Sequence, residues 1–214
     1  MERRTLLRAL VAAGLAPQLI RVALAKGNNP VPAGLHKVEG KVTLNGSPAR
    51  EGQLVKPGDT VKTGANSSAI YVIGQDAFLQ RADSEVHFPI ESLEAFLRVL
   101  NGKLLSVFGR GQKKLQVSTA TIGIRGTACY IEAEASKTYF CLCYGEAEVV
   151  PSVAPAQREI IHTEHHDHPI YIHNDPKMAT SMVPAAVINH NDAELTLLEN
   201  LVGRRPAFYG KDYK

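Results

Sequence analysis

The chain has 214 residues, 44% of them hydrophobic and 21% charged, with 17 Gly, 12 Pro, 3 Cys and no Trp. That composition excludes wholesale disorder, a collagen-like fibre and a disulfide-dense miniprotein. The net charge of +3 is concentrated at the start: the first 25 residues hold four Arg and one Glu, and the rest holds 20 basic and 20 acidic residues. A formally neutral body lacks the basic footprint of a nucleic-acid binder.

Residues 1–25 read as an export signal. Arg3, Arg4 and Arg8 precede an apolar run from Ala9 to Ala16, and Ala23-Leu24-Ala25 is a small-x-small cleavage site. The run is far shorter than the ~20 residues a spanning helix needs. The adjacent Arg3 and Arg4 resemble a twin-arginine signal, with Leu6, Arg8 and Glu2 departing from the usual residues around the pair. An ordinary secretory signal with two adjacent arginines is the alternative. Either route predicts a periplasmic protein beginning at Lys26, with no later membrane span. The twin-arginine route would carry it across already folded.

Residues 26–37 read as a linker, because Gly27 to Gly34 is rich in Asn, Pro and Gly. From Val38 to Val150 the apolar pattern has period two. Val38 to Leu44 alternates and meets Asn45-Gly46, a hairpin signal. Leu54 to Val61 brackets a Pro-Gly-Asp turn. Ser68 to Ile73 and Ala77 to Gln80 flank a second hairpin turn, Gly74-Gln75-Asp76. Phe96 to Phe108 fits two short strands around Asn101-Gly102 better than a helix, so a third hairpin is predicted there. Leu115 to Thr119, Thr127 to Glu134, Thr138 to Tyr144 and Glu146 to Val150 continue the series. The expected class is all-β, an antiparallel sandwich or barrel-like domain.

Gly58-Asp59-Thr60-Val61-Lys62-Thr63-Gly64, then Ser68-Ala69, then Val117 to Thr127 ending in Arg125-Gly126-Thr127 resemble the FecR domain in order and spacing. The resemblance covers Val38 to Val150. It implies a non-catalytic periplasmic module. The best-known FecR members are periplasmic regions of iron-uptake sensors that contact a transducer and control a sigma factor. They carry an anti-sigma helix bundle and a membrane helix that are not found here, so sigma-factor control is not carried over. Read from the residues, the motif is structural. Gly58 and Gly64 supply turns, Asp59 caps its own turn, and Thr63 lies between them in the loop. Arg125 bonds loop carbonyls or an acidic residue, and Gly126 allows close packing as Thr127 enters a strand.

Cys129 lies in Thr127 to Glu134, and Cys141 and Cys143 lie in Thr138 to Tyr144, two arms of one predicted hairpin turning at Ala135-Ser136-Lys137. If Glu134 pairs with Thr138, Cys129 faces Cys143 and all three sulfurs share one side of the sheet. Two accounts stay open. One is a disulfide from Cys129 to Cys143 or Cys141 with a buried third thiol. The other is a thiolate site for zinc or copper completed by histidine. No Cys-x-x-Cys motif is present.

Five of the eight His fall between His162 and His173. His162, His165, His166 and His168 are candidate ligands, because neutral imidazole binds zinc and copper well. The run is not His-Glu-x-x-His, and Pro169 points to a loop or strand end. A polar surface loop is the alternative. Residues 151–214 thus comprise a His-rich segment followed by a short helix and tail. Asn191-Asp192-Ala193-Glu194 is a capping box, Leu195, Leu198, Leu201 and Val202 form an apolar face, and Gly203 stops the helix.

No Gly-x-Ser-x-Gly, phosphate loop or Gly-x-Gly-x-x-Gly occurs, which argues against an enzyme. Two functions are expected from the sequence. One is a non-enzymatic periplasmic module contacting an envelope protein or polymer. The other is a metal-binding or redox protein using the Cys and His clusters. Partner, ligand and oligomeric state are not legible.

Overall fold

The computed structural model describes residues 29–90 and 96–211. The export signal and its residues Arg3, Arg4, Ala23 and Ala25 lie outside them. The elements are β1 (Gly34–Glu39), β2 (Val42–Leu44), β3 (Ser47–Pro48), β4 (Thr60–Thr63), β5 (Ser68–Ile73), β6 (Asp76–Gln80) and β7 (Ser84–His87). These are followed by β8 (Leu97–Val107), β9 (Gln112–Gln116), β10 (Ala120–Ala133), β11 (Lys137–Pro151), β12 (Glu159–Thr163), β13 (Ile170–His173), β14 (Met182–Pro184) and helix α1 (Asp192–Leu201). The fold is all-β with one short C-terminal helix, as the period-two pattern predicts. Its strands form one connected sheet that folds over itself as an open sandwich. Pairing is antiparallel except between β8 and β9.

Three long strands make the sandwich by serving both layers. The first half of β8 pairs with β7 and β9, and its second half with β6 and β10. The first half of β10 pairs with β9, and its second half with β8. In β11, residues 145–149 pair with β12 and residues 137–140 with β13. Each strand turns its corner at a glycine of positive φ: Gly102 at 89°, Gly126 at 56° and Gly145 at 103°. A β-carbon on Gly102 would lie 2.5 Å from Ser84 Cβ. Asn101-Gly102 is therefore not a hairpin turn, as predicted, but the bend inside a single 11-residue strand. Positive φ is needed in both cases, and tertiary pairing decides between them. Likewise, Glu146 to Val150 is not a separate strand but the far half of β11.

The two short hairpins are where the sequence puts them. Leu44 pairs with Ser47 across Asn45-Gly46, and Ile73 with Asp76 across Gly74-Gln75. β1 begins at Gly34, inside the stretch read as a linker. The His-rich segment supplies β12 to β14, which extend the same sheet.

Two apolar clusters follow from strand alternation. The inner cluster fills the sandwich with Val61, Tyr71, Phe78, Leu97, Ile122, Ile131, Phe140 and their neighbours. The second lies on the outer side of β5, β6, β8, β10 and β11, where Ile70, Leu79, Leu105 and Tyr130 meet Leu195, Leu198 and Leu201 of α1 and its C-cap Val202. The helix is capped by Asn191, whose side chain accepts from Ala193 N and Glu194 N while Glu194 reaches back to Asn191 N. Its other side is buried too, including Leu197 and Thr196. No helix among the described residues is long and apolar enough to cross a membrane.

Candidate metal centre

The positions of the FecR-like motif are built into the scaffold. Asp59 accepts from Lys56 N at 2.7 Å and from Asn45 Nδ2 at 2.7 Å, tying two turns together. The Thr63 hydroxyl donates to the Arg81 carbonyl and accepts from Ser84 N. Gly64 N donates to the Lys41 carbonyl, and Gly58 N to the Phe88 carbonyl. Arg125 is exposed and pairs in register with Glu146. Gly126 supplies the corner of β10 rather than close packing, since nothing lies nearer than 3.8 Å to a β-carbon built on it. The Thr127 carbonyl accepts from Phe108 N at 2.8 Å.

The cysteines do not share one face. The connection between β10 and β11 is tighter than predicted: Glu134 N donates to the Lys137 carbonyl, and Ala133, not Glu134, pairs with Thr138. A one-residue change of register reverses the sheet face of every partner. Cys129 therefore lies opposite Leu142 and points into the inner cluster, while Cys141 and Cys143 point outward beneath the C-terminal segment. All three thiols are free and fully buried, so neither proposed disulfide forms. Burial pushes the Cys129 thiol far above its ordinary range. It acts as a small hydrophobe.

On the outer face the residues converge. Cys141, Cys143, His166 and His190 each offer one ligand atom, and these four atoms lie within 4.8 Å of one another. The two sulfurs come from alternate residues of β11. His166 comes from the loop between β12 and β13, where it has φ 54° and its backbone N–H donates to the Cys143 carbonyl at 3.0 Å. His190 immediately precedes the N-cap of α1 and stacks on Tyr130 at 4.6 Å. Around a tetrahedral ion with Zn–S near 2.3 Å and Zn–N near 2.0 Å, donors sit roughly 3.3–3.8 Å apart. Cys141 Sγ is 3.5 Å from His166 Nδ1, and His166 Nδ1 is 3.0 Å from His190 Nε2.

The surroundings fix both imidazoles. His190 Nδ1 lies 2.6 Å from the Ile188 carbonyl, which can only accept, so Nδ1 carries the proton and Nε2 a lone pair. His166 Nε2 lies 3.2 Å from Asp192 Oδ1, which assigns its proton to Nε2 and a lone pair to Nδ1. Two neutral rings so oriented point lone pairs at each other across 3.0 Å, beside a sulfur. That contact is repulsive unless a cation fills it. A proton fills one such contact. A soft metal ion fills all four, and the Asp192–His166 pair is then the carboxylate–histidine–metal arrangement that orients a ligand ring.

Charge on these groups follows the same geometry. Hydrogen bonds from Cys143, then from His166 and His190, hold the Cys141 thiol down at about 3 against its burial. Burial and the Cys141 sulfur push Cys143 far up. Burial opposes a proton on His166, but Asp192 and Cys141 outweigh it and lift the ring to about 9. Both shifts favour an anionic Cys141 sulfur beside a protonated His166.

His165 donates toward Asp192 at 2.9 Å, on the far side of His166 from the sulfurs, so it supports the site without joining the four. His162 and His168 are not brought there. His162 lies between inward-facing Ile161 and Thr163 on β12, and alternation turns it to solvent beside Glu146 at 3.5 Å. His168 pairs with Glu159 at 3.1 Å. His190 and Asp192 are the members absent from the ligand set read in the sequence.

No family model matches the chain, and no curated protein matches it at a significant level. Two crystal structures of a protein from Parabacteroides distasonis ATCC 8503, provisionally described as an anti-sigma factor, are similar in part. They have TM-scores of 0.48 and 0.46 at 11% and 12% identity, over 59% of this chain and 58% of that one. The match thus spans less than two thirds of that protein's length.

Proposed function

We propose that this chain is an exported, non-enzymatic binding module on a FecR-like scaffold, and that it binds one zinc or copper ion through Cys141, Cys143, His166 and His190. The observation that carries the reading is the convergence of four donor atoms, one each from Cys141, Cys143, His166 and His190, within 4.8 Å of one another. The donor set supports the choice of metal: two thiolates and two imidazoles suit zinc or Cu(I), not magnesium or calcium. The sulfurs are fully buried. Four protein ligands would close the coordination sphere, which is the character of a structural or storage site rather than a catalytic one.

The export signal and the motif order support a periplasmic location. The test is a titration of metal-free protein with Co(II), followed by displacement with zinc. One equivalent with intense sulfur-to-cobalt absorption is expected. Less than about a tenth of an equivalent, the level of adventitious binding, would end the proposal.

Contact with an envelope protein or polymer is a second reading, favoured by one feature. A groove of about 770 Å³ shares no residue with the metal centre and is lined by apolar Ile73, Phe88 and Phe96 and by charged residues of both signs, among them Arg110, Arg125 and Glu146. Arg110→Glu combined with Arg125→Glu should abolish recovery of such a partner from envelope extracts and leave cobalt binding intact. Unchanged recovery would remove the groove from consideration.

A further inference from the structure

The four donors belong to three separate stretches of chain. Cys141 and Cys143 are on β11, His166 is in the loop of residues 164–169, and His190 leads directly into the cap of α1. We infer that metal occupancy controls how firmly the N-terminal half of α1 is docked on the sheet. The inference rests on the metal-binding reading above and assigns that site a regulatory consequence.

The geometry makes the coupling local. His190 is one residue from the N-cap Asn191 and two from Asp192, which accepts from both His165 and His166. An ion would therefore join the first turn of the helix to β11 and to the loop at once. Without an ion, His166 touches His190 at 3.0 Å and Asp192 at 3.2 Å and makes no bond that joins all three stretches at one point. The far end of α1 has its own anchors. Glu199 accepts from Arg204 Nε at 2.6 Å and from the Tyr144 hydroxyl, and Val31 N donates to the Leu201 carbonyl at 2.8 Å. At the near end Arg81 holds Glu194 and the Asn189 carbonyl. Loss of the ion thus leaves the near end to the contacts of Arg81 with Glu194 and the Asn189 carbonyl, of Asn189 with Glu132 and of His165 with Asp192, all but the first pair at half-exposed or exposed positions, and leaves the far end unchanged.

What the helix covers gives the coupling a consequence. Ile70, Val72, Leu79, Leu105, Val107 and Tyr130 form the apolar face beneath it. A loosened first turn would open that face to water, and metal would close it. The device reads metal availability as exposure of one sheet face.

Hydrogen exchange on the full chain tests this, comparing zinc-loaded protein with the same protein after chelation and elemental analysis. Amides of residues 193–198 should exchange about tenfold faster or more after metal removal, with those of residues 128–133 in β10 little changed. Binding of a hydrophobic dye should rise in parallel. If zinc is bound and removed but the helix amides keep their rates, the coupling is wrong and the metal site stands. If β10 loses protection to the same degree, the ion holds the whole fold and local control is wrong. If the purified protein takes up no zinc or copper, both readings fall together.

Discussion

Thr127 occupies the volume that a side chain on Gly145 would need: a β-carbon built there lies 2.7 Å from Thr127 Cγ2 and 2.9 Å from its Cβ. The two residues sit where β10 and β11 pass from one layer of the sandwich to the other. Gly145→Ala should therefore cost about 2–4 kcal/mol, combining the left-handed conformation with overpacking. Gly46→Ala has the same conformational strain but nothing within 4 Å, and should cost about 1–2 kcal/mol. Urea midpoints of the two variants check the difference. Thr127→Ser, which removes Cγ2, should recover part of the Gly145→Ala loss. Equal costs for the two glycines would show that the contact is not tight.

The same corner explains what could be read from the sequence and what could not. Alternating apolar residues and Asn45-Gly46 gave away the class and the short hairpins, because both are local. Asn101-Gly102 carries the same local signal and means something else: the sequence reports a need for positive φ, while the partner strands decide whether the chain reverses or bends. The cysteine register failed for a related reason. Whether Glu134 or Ala133 pairs with Thr138 is one residue of loop length, and it sends Cys129 to the opposite face from Cys141 and Cys143. His166 was within reach of composition alone. His190 lies beyond the His-rich run, and no local pattern places it in the ligand set, because it meets His166 through tertiary packing.

Separation of the sulfurs by face yields a direct contrast. Cys141→Ser and Cys143→Ser should each reduce bound zinc or cobalt to less than about a tenth of an equivalent. Cys129→Ala should keep full occupancy and lose about 1–2 kcal/mol of stability from the inner core. His162→Ala and His168→Ala should change neither quantity, being turned to solvent against Glu146 and Glu159. Metal analysis beside urea unfolding reads both effects. Loss of metal in Cys129→Ala would contradict the assignment of faces.

Asp192 is a positioning residue, since it touches His165 and His166 but none of the sulfurs at hydrogen-bond range. Asp192→Asn keeps an acceptor for His166 Nε2 and removes the negative charge that raises the ring's basicity. Metal affinity should fall about 10–100-fold by competition with a chromophoric chelator. The sulfur-to-cobalt absorption of the saturated variant should be unchanged, because the four donors remain. An altered absorption band would instead make Asp192 a ligand.

Glu199 gives the fold a pH dependence that is independent of the metal. It is a buried residue of α1, where it accepts from Tyr144 and Arg204. Burial raises its carboxyl above the ordinary 4.5, and the Arg204 charge and the Tyr144 hydrogen bond only partly offset this. A carboxyl with a raised folded-state value holds its proton more tightly in the native state than in the unfolded chain. Its contribution to stability is therefore greatest below 4.5 and declines as pH rises from there through the raised value, levelling above it. Glu199→Gln cannot ionise, so subtracting its unfolding free energies from those of the native sequence should leave a curve that falls across that window and is flat on either side. Urea unfolding at closely spaced pH values from about 4 to 8 supplies both data sets. A difference curve that rises with pH would mean that Arg204 dominates and that Glu199 is held ionised in the folded protein.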